Sequence, residues 1–403
     1  MIIKPSIRSN FFTNAHPIGI KKVIKNYIDD VKNMEKFEGP KRVLIVGGSS
    51  GYGLASRISL AYGADAHTVN VSYENEPKGK KTGSAGYWNN IFFQEFAKET
   101  KNLHKDFNGD AFSIEMKQKV LDYIKKTFGQ VDLIIYSLAS GARMNQETNE
   151  IVRSHIKPLD KTAYGKTIDL QSMEVIDLNI DPATEQESKD TIFVMGGSDW
   201  EDWINFFDQN NALAEGFKTV AYTYIGGPNT DAIYRKGTLG KAKEDLESKA
   251  EIMTTWLKDK YQGEALISSS KAVVSKASVF IPQMPIYVSC LFDVMTAHKL
   301  HETTIAHKYR LFKDMIYGQK RIVDDKKRIR LDHLEMDHKV QEETNRLMSS
   351  FDNQDVFLLK GTKMFINEFY NINGFKVEGI NYDEEVDIDE LINLYKTEDY
   401  VYE

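Results

Sequence analysis

Two short and almost wholly apolar segments constrain the fold of this 403-residue chain more than any other feature. Residues 43–46 (VLIV) run directly into a glycine, and residues 131–138 (VDLIIYSL) are apolar at nearly every position. A strand with one solvated face alternates apolar and polar residues, whereas a continuous apolar strand is buried on both faces. Both segments therefore predict central strands of a parallel sheet that is covered by helices on either side.

Strand and helix patterns alternate around these two segments. Strands are predicted at Val43–Val46, His67–Tyr73, Leu103–Phe107, Val131–Leu138, Phe217–Ile225 and Glu264–Ser270. Helices are predicted at Tyr52–Ala61, Asn89–Lys101, Ser113–Phe128, Asp199–Ala212, Thr238–Lys260 and Pro282–Leu300. Strands separated by helix-length segments form βαβ units. We therefore predict an α/β fold with a doubly wound parallel sheet of the Rossmann type.

The length suits two or three average domains, but it also suits one large α/β domain with insertions. We predict a single Rossmann-type domain over residues 1–403. A polar, mixed segment at about residues 140–190, with a hairpin around Tyr164-Gly165, interrupts the pattern as an insertion at the sheet edge. Helix-rich segments at about residues 282–403 are expected to cover the substrate.

Charge and cysteine content exclude several classes. The net charge is −7, from 52 basic and 59 acidic residues, so the chain lacks the basic surplus of a nucleic-acid-binding protein. Cys290 is the single cysteine, which excludes an intrachain disulfide and a cysteine-based zinc site. No metal site is predicted. The most apolar stretch, Ala277–Ala297, contains Pro282, Pro285 and Asp293 and favours a buried helix over a membrane span. We expect a cytoplasmic protein without membrane insertion.

A glycine-rich turn follows the first apolar strand. Residues 43–55 read VLIVGGSSGYGLA, and Gly47, Gly51 and Gly53 lie between a predicted strand and a predicted helix. Glycines let the backbone approach a pyrophosphate, and the helix N-terminus offers free N–H groups and a favourable dipole. The Ser49 and Ser50 hydroxyls can add donors. The alternative is a tight turn without a ligand, but the strand–turn–helix context favours a dinucleotide site.

Glu74 ends the second predicted strand, 21 residues past Gly53. A carboxylate there accepts hydrogen bonds from ribose hydroxyls and repels a 2′-phosphate, which predicts NADH over NADPH. The alternative is a solvent-facing residue at the strand end. Asp110-Ala111 and Leu138-Ala139 follow two further strands and should line the cofactor crevice, although Asp110 could instead be the N-cap of the next helix.

The segment 219–246 carries an acid–base pair. Tyr224 ends a strand, Tyr234 lies in the following loop, and Lys243 comes nine residues later on a helix. A free tyrosine is a poor acid near neutral pH. A nearby ammonium lowers the pKa of the phenol and can also hold the nicotinamide ribose. The alternative is an aromatic loop residue and a surface lysine.

Together these residues resemble the single-chain trans-2-enoyl-CoA reductase and NADH-dependent enoyl-acyl-carrier-protein (ACP) reductase family, an enlarged relative of the short-chain dehydrogenases. Tyr234 and Lys243 match the Tyr-x8-Lys spacing of the family, and the ordinary short-chain dehydrogenase spacing of Tyr-x3-Lys does not fit. Further matching segments run to about residue 300, and they are MIIKP, AHPIG (15–19), GYGLASRI (51–58), GSAGYW (83–88), NGDAF (108–112), YSLAS (136–140), MGGSDW (195–200) and IPQMP (281–285).

The resemblance implies reduction of the C2–C3 double bond of a trans-2-enoyl thioester with NADH, in fatty acid synthesis or short-chain acyl-CoA metabolism. It implies that Tyr234 is the catalytic proton donor, that Tyr224 contacts the substrate and that Lys243 binds the cofactor. It further implies an NADH site lined by Gly47, Gly48, Ser49, Ser50, Gly51, Tyr52, Tyr73, Glu74, Asp110, Ala111, Leu138, Ala139, Val273, Val274 and Ser275. The 282–300 helix would then wall the acyl pocket.

Two other functions stay open at this point. A carbonyl reductase of the short-chain dehydrogenase type would share the cofactor site but act on C=O, and an NAD-binding regulator would keep only the fold. The thioester carrier, coenzyme A or acyl-carrier protein, is also open. Lys78, Lys80 and Lys81 could serve either carrier or simply be solvated. The resemblance favours a monomer or a weak homodimer.

Overall fold

The computed structural model describes residues 1–138, 140–228, 230–350 and 355–395. Its strands are β1 (Ile7–Arg8), β2 (Phe11–Phe12), β3 (Arg42–Val46), β4 (His67–Ser72), β5 (His104–Asn108), β6 (Val131–Tyr136), β7 (Ala142–Asn145), β8 (Glu150–Arg153), β9 (Ala163–Asp169), β10 (Glu174–Ile180), β11 (Leu213–Thr223), β12 (Glu264–Ser269) and β13 (Ile329–Arg330).

The helices follow the predicted α/β rhythm. They are α1 (Pro17–Lys32), α2 (Gly51–Gly63), α3 (Ala85–Ala97), α4 (Ile114–Thr127), α5 (Glu185–Met195), α6 (Ser198–Gln209), α7 (Thr238–Tyr261), α8 (Met284–Ala297), α9 (Thr304–Arg310), α10 (His338–Ser349), α11 (Lys360–Asn371) and α12 (Ile388–Tyr395). A π-helical turn at Leu311–Ile316 continues α9.

Seven parallel strands form the central sheet in the order β13-β12-β11-β6-β3-β4-β5. The order runs outwards in both directions from β3 and β6, which pair with each other. This is the doubly wound arrangement, and it confirms the predicted fold class. Ligands of such sheets bind beyond the carboxyl ends of the strands, at the point where the strand order reverses. Here that point lies at the ends of β3 and β6.

Both faces of the central strands are buried. Leu44 and Val46 of β3 pack in one core with α4, α6 and α7. Val43 and Ile45 of the same strand pack in another core, with Leu60 of α2 and the turn after α9. Successive side chains of a strand point to opposite faces. The two cores therefore explain why the segment 43–46 is apolar at every position.

The segment between β6 and α5 stays outside the central sheet. It forms two antiparallel pairs, β7 with β8 and β9 with β10. The predicted hairpin exists, but its turn lies at residues 170–173, and Tyr164-Gly165 belongs to β9. The position of the turn was therefore wrong. Gly165 favoured a turn in the sequence, whereas the observed turn has a non-glycine residue, Met173, in the left-handed region (φ 57°).

Helix boundaries differ from the prediction by a few residues, and two helices, α1 and α5, were missed. Ser84 caps α3, so this helix begins at Ala85 instead of Asn89. Helix α1 was not predicted; the His16 side chain caps it by accepting a hydrogen bond from Gly19 N (3.2 Å). Helix α8 is buried along most of its length, as the proline-containing segment predicted. Within the described residues, we find no helix with the length and hydrophobicity that crossing a membrane requires.

Candidate active site

The glycine-rich turn lies where the strand order reverses. Gly47 has a φ of +95°, and a Cβ there would come within 2.5 Å of Ser137 O, next to the end of β6. A Cβ on Gly53 would lie 2.0 Å from Gly47 O, so the turn closes only with glycine at this position. At Gly51, by contrast, the nearest atom to a Cβ is Ser275 Cβ at 3.8 Å. The turn is therefore tight beneath and open above, as a pyrophosphate requires.

Polar side chains hold this turn in place. Gly48 N donates to Asn70 Oδ1 (2.8 Å), and Asn89 Nδ2 donates to Ser49 O (2.8 Å). Ser50 is the N-cap of α2 but makes no side-chain capping bond among the described residues. The first N–H groups of α2 and their dipole remain available to an anion. The residues present therefore fit the phosphates of a dinucleotide.

Glu74 reaches back to the glycine-rich turn. Its carboxylate accepts hydrogen bonds from Ser49 Oγ (2.6 Å) and Ser84 Oγ (2.5 Å), and Lys276 Nζ lies 3.5 Å away. A Cβ on Gly86 would lie 2.0 Å from Glu74 Oε1, so this glycine makes room for the carboxylate. The GSAGYW segment thus positions Glu74. Tyr73, predicted beside it, is 82% exposed.

The other predicted cofactor residues lie at strand ends. Asp110 accepts a hydrogen bond from Phe112 N (3.0 Å), while Ser113 is the N-cap of α4. The alternative of Asp110 as N-cap was wrong, because α4 begins at Ile114, four residues after Asp110. Ala111 is buried, and Leu138 packs on the core that contains α4 and α6. Ala139 lies outside the described residues.

The segment after β12 forms the opposite wall. Val273 and Val274 are buried, and Ser275 is the residue closest to the open side of Gly51. Ser278 Oγ donates to Val273 O (2.7 Å) and fixes the path of the segment. Tyr52 Oη donates to Lys271 O, which ties α2 to the same segment. The structure thus brings the turn and residues 273–275 together, as predicted.

Two predicted site tyrosines pack against each other. Tyr224 follows β11, and its ring centroid lies 4.7 Å from that of Tyr234, with 66° between the ring planes. Tyr234 is 7% exposed, so it is not a surface aromatic residue of the loop. The two positions are ten residues apart in the chain and meet because the loop folds back over the end of β11.

Lys243 lies on α7 and is half-buried. Its Nζ is 3.4 Å from Tyr222 O, at the end of β11, so it points towards the site instead of the surface. Burial lowers the pKa of Lys243 to about 8, and Glu247 opposes this shift. The surface-lysine alternative is therefore contradicted by the structure.

We expected the Lys243 ammonium to lower the pKa of the Tyr234 phenol, and this expectation was wrong in this structure. Burial raises the pKa of the Tyr234 phenol well above its usual value, and the nearby Glu335 carboxyl raises it further. A low dielectric surrounding disfavours the phenolate. Tyr234 is therefore a neutral hydrogen-bond donor, which suits a proton donor better than it suits a base.

A buried carboxyl group, missed in the sequence, joins the tyrosines. Glu335 is fully buried and accepts hydrogen bonds from Tyr224 Oη (2.9 Å), from Tyr287 Oη on α8 (2.7 Å) and from Ala272 N (2.6 Å). It comes from a charged segment, RLDHLEMDH, that reads as a solvated helix face. The carboxyl group lies more than a hundred residues from Tyr224 in the chain, and nothing local marks it.

A cavity of about 710 Å³ lies beside the tyrosine loop. Ala232 and Lys236, two residues on either side of Tyr234, line it together with Ile286 of α8. Residues 158–166 of the insertion form another wall, and Met348, Ser349 and Val356 close it from the C-terminal region. The charged lining residues are one carboxylate, Asp160, and three lysines, Lys161, Lys166 and Lys236. Apolar walls with this surplus of positive charge fit a molecule with an apolar and an anionic part.

Three features indicate the class of protein. They are the dinucleotide turn where the strand order reverses, the carboxylate at the end of a neighbouring strand, and the buried tyrosine and the lysine of segment 219–246. Together they define a nicotinamide-dependent oxidoreductase of the Rossmann class. Three family models match the chain. Residues 81–317 match the trans-2-enoyl-CoA reductase catalytic region, residues 2–79 match the NAD(P)H binding domain of trans-2-enoyl-CoA reductase, and residues 323–386 match an enoyl reductase FAD binding domain.

Individual relatives agree with these models over the full length. The NADH trans-2-enoyl-CoA reductase of Clostridium beijerinckii is 42% identical over 98% of this chain and 100% of its own. An NADH enoyl-ACP reductase of Coxiella burnetii is 43% identical over 97% of each chain. The crystal structure of the Clostridium acetobutylicum trans-2-enoyl-CoA reductase with NADH superposes with a TM-score of 0.95 at 41% identity, covering 97% of this chain and 99% of that one.

The chain therefore belongs to the trans-2-enoyl-CoA reductase and enoyl-ACP reductase family. The resemblance drawn from the motifs is confirmed, and so is the class of NADH-dependent oxidoreductase. The cytoplasmic location, the monomeric or weakly dimeric state and the single-domain division stay predictions.

Two glycines in the described part of residues 323–386 leave no room for a flavin phosphate. A Cβ on Gly361 would lie 2.0 Å from Ser289 O, and a Cβ on Gly374 would lie 2.2 Å from His16 O. These glycines thus serve close packing of α11 on α8 and of the C-terminal region on the start of α1, not a phosphate cradle. The segment instead contributes Glu335 and walls of the cavity.

Proposed function

We propose that this chain reduces the C2–C3 double bond of a trans-2-enoyl thioester, carried by coenzyme A or acyl-carrier protein, to the saturated acyl thioester. The observation that carries the proposal is the Tyr224–Tyr234 pair, whose loop lines a largely apolar cavity, in the same fold as a dinucleotide turn. NADH supplies a hydride when it is bound. The residues of the chain bind it, hold the thioester and deliver a proton.

Cofactor binding is assigned to the turn and its surroundings. The Gly47–Gly53 backbone and the first N–H groups of α2 hold the pyrophosphate. Ser49 and Ser84 hold the Glu74 carboxylate against the turn. There it accepts hydrogen bonds from the adenosine ribose hydroxyls, and its negative charge repels a 2′-phosphate. Lys243 holds the nicotinamide ribose as a charged donor. Residues 273–275 close the site from the side of β12.

Proton delivery is assigned to Tyr234. Hydride addition at C3 leaves negative charge on the thioester oxygen, and a fixed donor aimed at that oxygen lowers the barrier. Tyr234 is a neutral phenol, since burial and Glu335 disfavour its ionisation. The phenol therefore keeps its hydrogen until the enolate forms. Tyr224, in ring contact with Tyr234, contacts the same thioester.

The carrier is assigned to the part of the cavity that is lined by lysines. Lys161, Lys166 and Lys236 line the cavity, and Lys78, Lys80 and Lys81 are not among its lining residues. Both candidate carriers bring phosphate groups, on coenzyme A or on the pantetheine arm of an acyl-carrier protein. The lysines at the cavity are therefore the better candidates for phosphate contacts than the lysines of the loop before α3.

The direct test follows NADH oxidation optically with crotonyl-CoA, with longer enoyl-CoA chains and with an enoyl-ACP. Oxidation that Tyr234→Phe abolishes supports the proposal. A ketone and a 3-oxoacyl thioester, assayed in parallel, address the carbonyl-reductase alternative. Turnover of these two substrates without any enoyl reduction would contradict the proposal.

A further inference from the structure

Glu335 occupies an unusual position for a carboxyl group. It is fully buried, and its two oxygens are bonded to three different elements of the site. Oε1 accepts from Tyr224 Oη at the end of β11 and from Tyr287 Oη on α8. Oε2 accepts from Ala272 N, next to the cofactor segment 273–275. A carboxyl group with these partners links the substrate tyrosine to the cofactor wall.

Of the two tyrosines that donate to Glu335, Tyr287 is held by more hydrogen bonds than Tyr224. Gln341 Nε2 donates both to Tyr287 Oη (2.9 Å) and to Glu335 O (2.9 Å). The phenol of Tyr287 is therefore fixed from two sides by α10 and by the turn before it. Tyr224 Oη and Tyr287 Oη donate to the same oxygen, Glu335 Oε1. Of these two tyrosines, Tyr224 is the one whose ring contacts Tyr234.

We propose that Glu335 is a positioning residue of the reductase, whose carboxyl group sets the direction in which Tyr224 Oη donates its hydrogen. As a carboxylate, Glu335 accepts that hydrogen. As a carboxylic acid, it donates through Oε1 to Tyr224 Oη, which frees the tyrosine hydrogen for the thioester oxygen of the substrate. No bond to carbon changes in this step. The inference rests on the proposed function.

The surroundings support a change of protonation near neutral pH. Burial raises the pKa of Glu335 to about 7, against the hydrogen bonds from Tyr287, Ala272 and Tyr224. The other titratable or charged groups that face it are Tyr52 on α2, Tyr234 in the loop, Lys271 after β12 and Asp332 in its own turn. Asp332 raises the pKa of Glu335 further.

Glu335→Gln separates the two states. The amide Oε1 can accept from Ala272 N while Nε2 donates to Tyr224 Oη, as the protonated oxygen of the acid form does, and the amide does so at every pH. We expect kcat of the wild type to fall as pH rises through about 7, since the carboxylate captures the Tyr224 hydrogen. Glu335→Gln should keep the rate that the wild type has at low pH, within about threefold, and lose this decline.

Three further variants complete the design. Glu335→Ala should lower kcat about tenfold at every pH, because Tyr224 and Ala272 lose their partner. Tyr224→Phe should remove the neutral-pH decline, and adding Glu335→Gln to it should change nothing more. Glu342→Gln on α10, an exposed carboxylate, is the matched control and should keep the wild-type profile. The titration of Lys243 near pH 8 should remain in all of them.

An unchanged pH decline in Glu335→Gln would overturn the assignment. Should this variant fail to fold, infrared spectra of the ligand-free wild type give the answer: a buried carboxylic acid band should grow as pH falls through neutrality and shift in Tyr224→Phe. Its absence would also overturn the assignment. A wild type without enoyl reductase activity would contradict the proposed function, whereas an active wild type with an unchanged Glu335→Gln profile contradicts only the role of Glu335.

Discussion

The cofactor turn and the tyrosine group are built in different ways. The turn takes most of its groups from one stretch of chain, where β3 ends and α2 begins, and Asn70, Asn89 and Glu74 brace it. The tyrosine group joins the end of β11, the loop after it, α8 and the turn before α10. The first site is built mainly from groups that are close in the chain, whereas the second depends on how distant elements dock.

Because the two regions are built differently, we expect one to govern cofactor affinity and the other to govern turnover. The turn is built from backbone groups and close glycine contacts, braced by Asn70, Asn89 and Glu74, so its energetics follow from sterics, local hydrogen bonds and the helix dipole. The tyrosine group depends on buried hydrogen bonds and on the protonation of one carboxyl group, so its energetics depend on pH. Variants in the first region should change NADH affinity, and variants in the second should change turnover.

The largest effect is expected at Tyr234. Tyr234→Phe removes the donor to the developing enolate, and kcat should fall by about 10²-fold or more while the Kd for NADH stays unchanged. Steady-state rates with an enoyl-CoA and NADH fluorescence titration measure the two quantities. Tyr123→Phe on α4, outside the site, is the matched control. Wild-type turnover in Tyr234→Phe would remove the tyrosine from the chemistry.

How far the sequence predicted each region follows from the same contrast. The glycine spacing, Glu74 and the apolar strands were readable because each acts through neighbours in the chain or through a period of two. Tyr224, Tyr234 and Lys243 were found through one segment and the family spacing. Glu335 and Tyr287 were not, because a buried carboxyl group on a charged segment has no local signature before the chain is folded.

The effect of Lys243→Met should be smaller and should act on the cofactor. Loss of a charged donor costs about 1.5–3 kcal/mol, which corresponds to roughly a ten- to hundredfold weaker Kd for NADH. Lys258→Met, exposed near the end of the same helix, is the control. An unchanged Kd in Lys243→Met would exclude the lysine from the site.

Lys243→Met should weaken NADH binding but raise the free energy of unfolding. The pKa of Lys243 is lowered to about 8 in the folded state, so the unfolded chain binds more protons between about pH 8 and its usual pKa near 10.4. This lysine therefore costs stability below pH 8, and the cost declines as pH rises through that window. Lys243→Met should raise the free energy of unfolding at neutral pH, measured by urea titration, and a lower value would contradict the shifted pKa.

Gly53→Ala tests the tight underside of the turn. The new methyl group would lie 2.0 Å from Gly47 O, so the turn must shift, at a cost of about 1–3 kcal/mol in unfolding free energy. NADH binding should weaken as well. Gly141→Ala is the control, because a Cβ there meets no atom within 4 Å among the described residues. Equal NADH affinity in both variants would show that the turn does not hold the cofactor.

The smallest effect is expected at Glu74. Glu74→Gln keeps the size of the side chain but removes the charge that faces the ribose, so the preference for NADH over NADPH should fall about tenfold. The ratio of kcat/KM for the two cofactors measures it, with Glu76→Gln, exposed two residues later, as the control. An unchanged ratio would assign cofactor selection to other residues.

The central claim is that the local turn and the distant tyrosine group serve one reaction, hydride transfer to an enoyl thioester followed by protonation. Reduction of crotonyl-CoA with NADH deuterated at the transferable C4 position, analysed by NMR of the product, tests this most directly. The account predicts deuterium at C3 and a solvent-derived hydrogen at C2 of a saturated thioester. Deuterium on a carbinol carbon of a reduced carbonyl group, with the double bond intact, would contradict it.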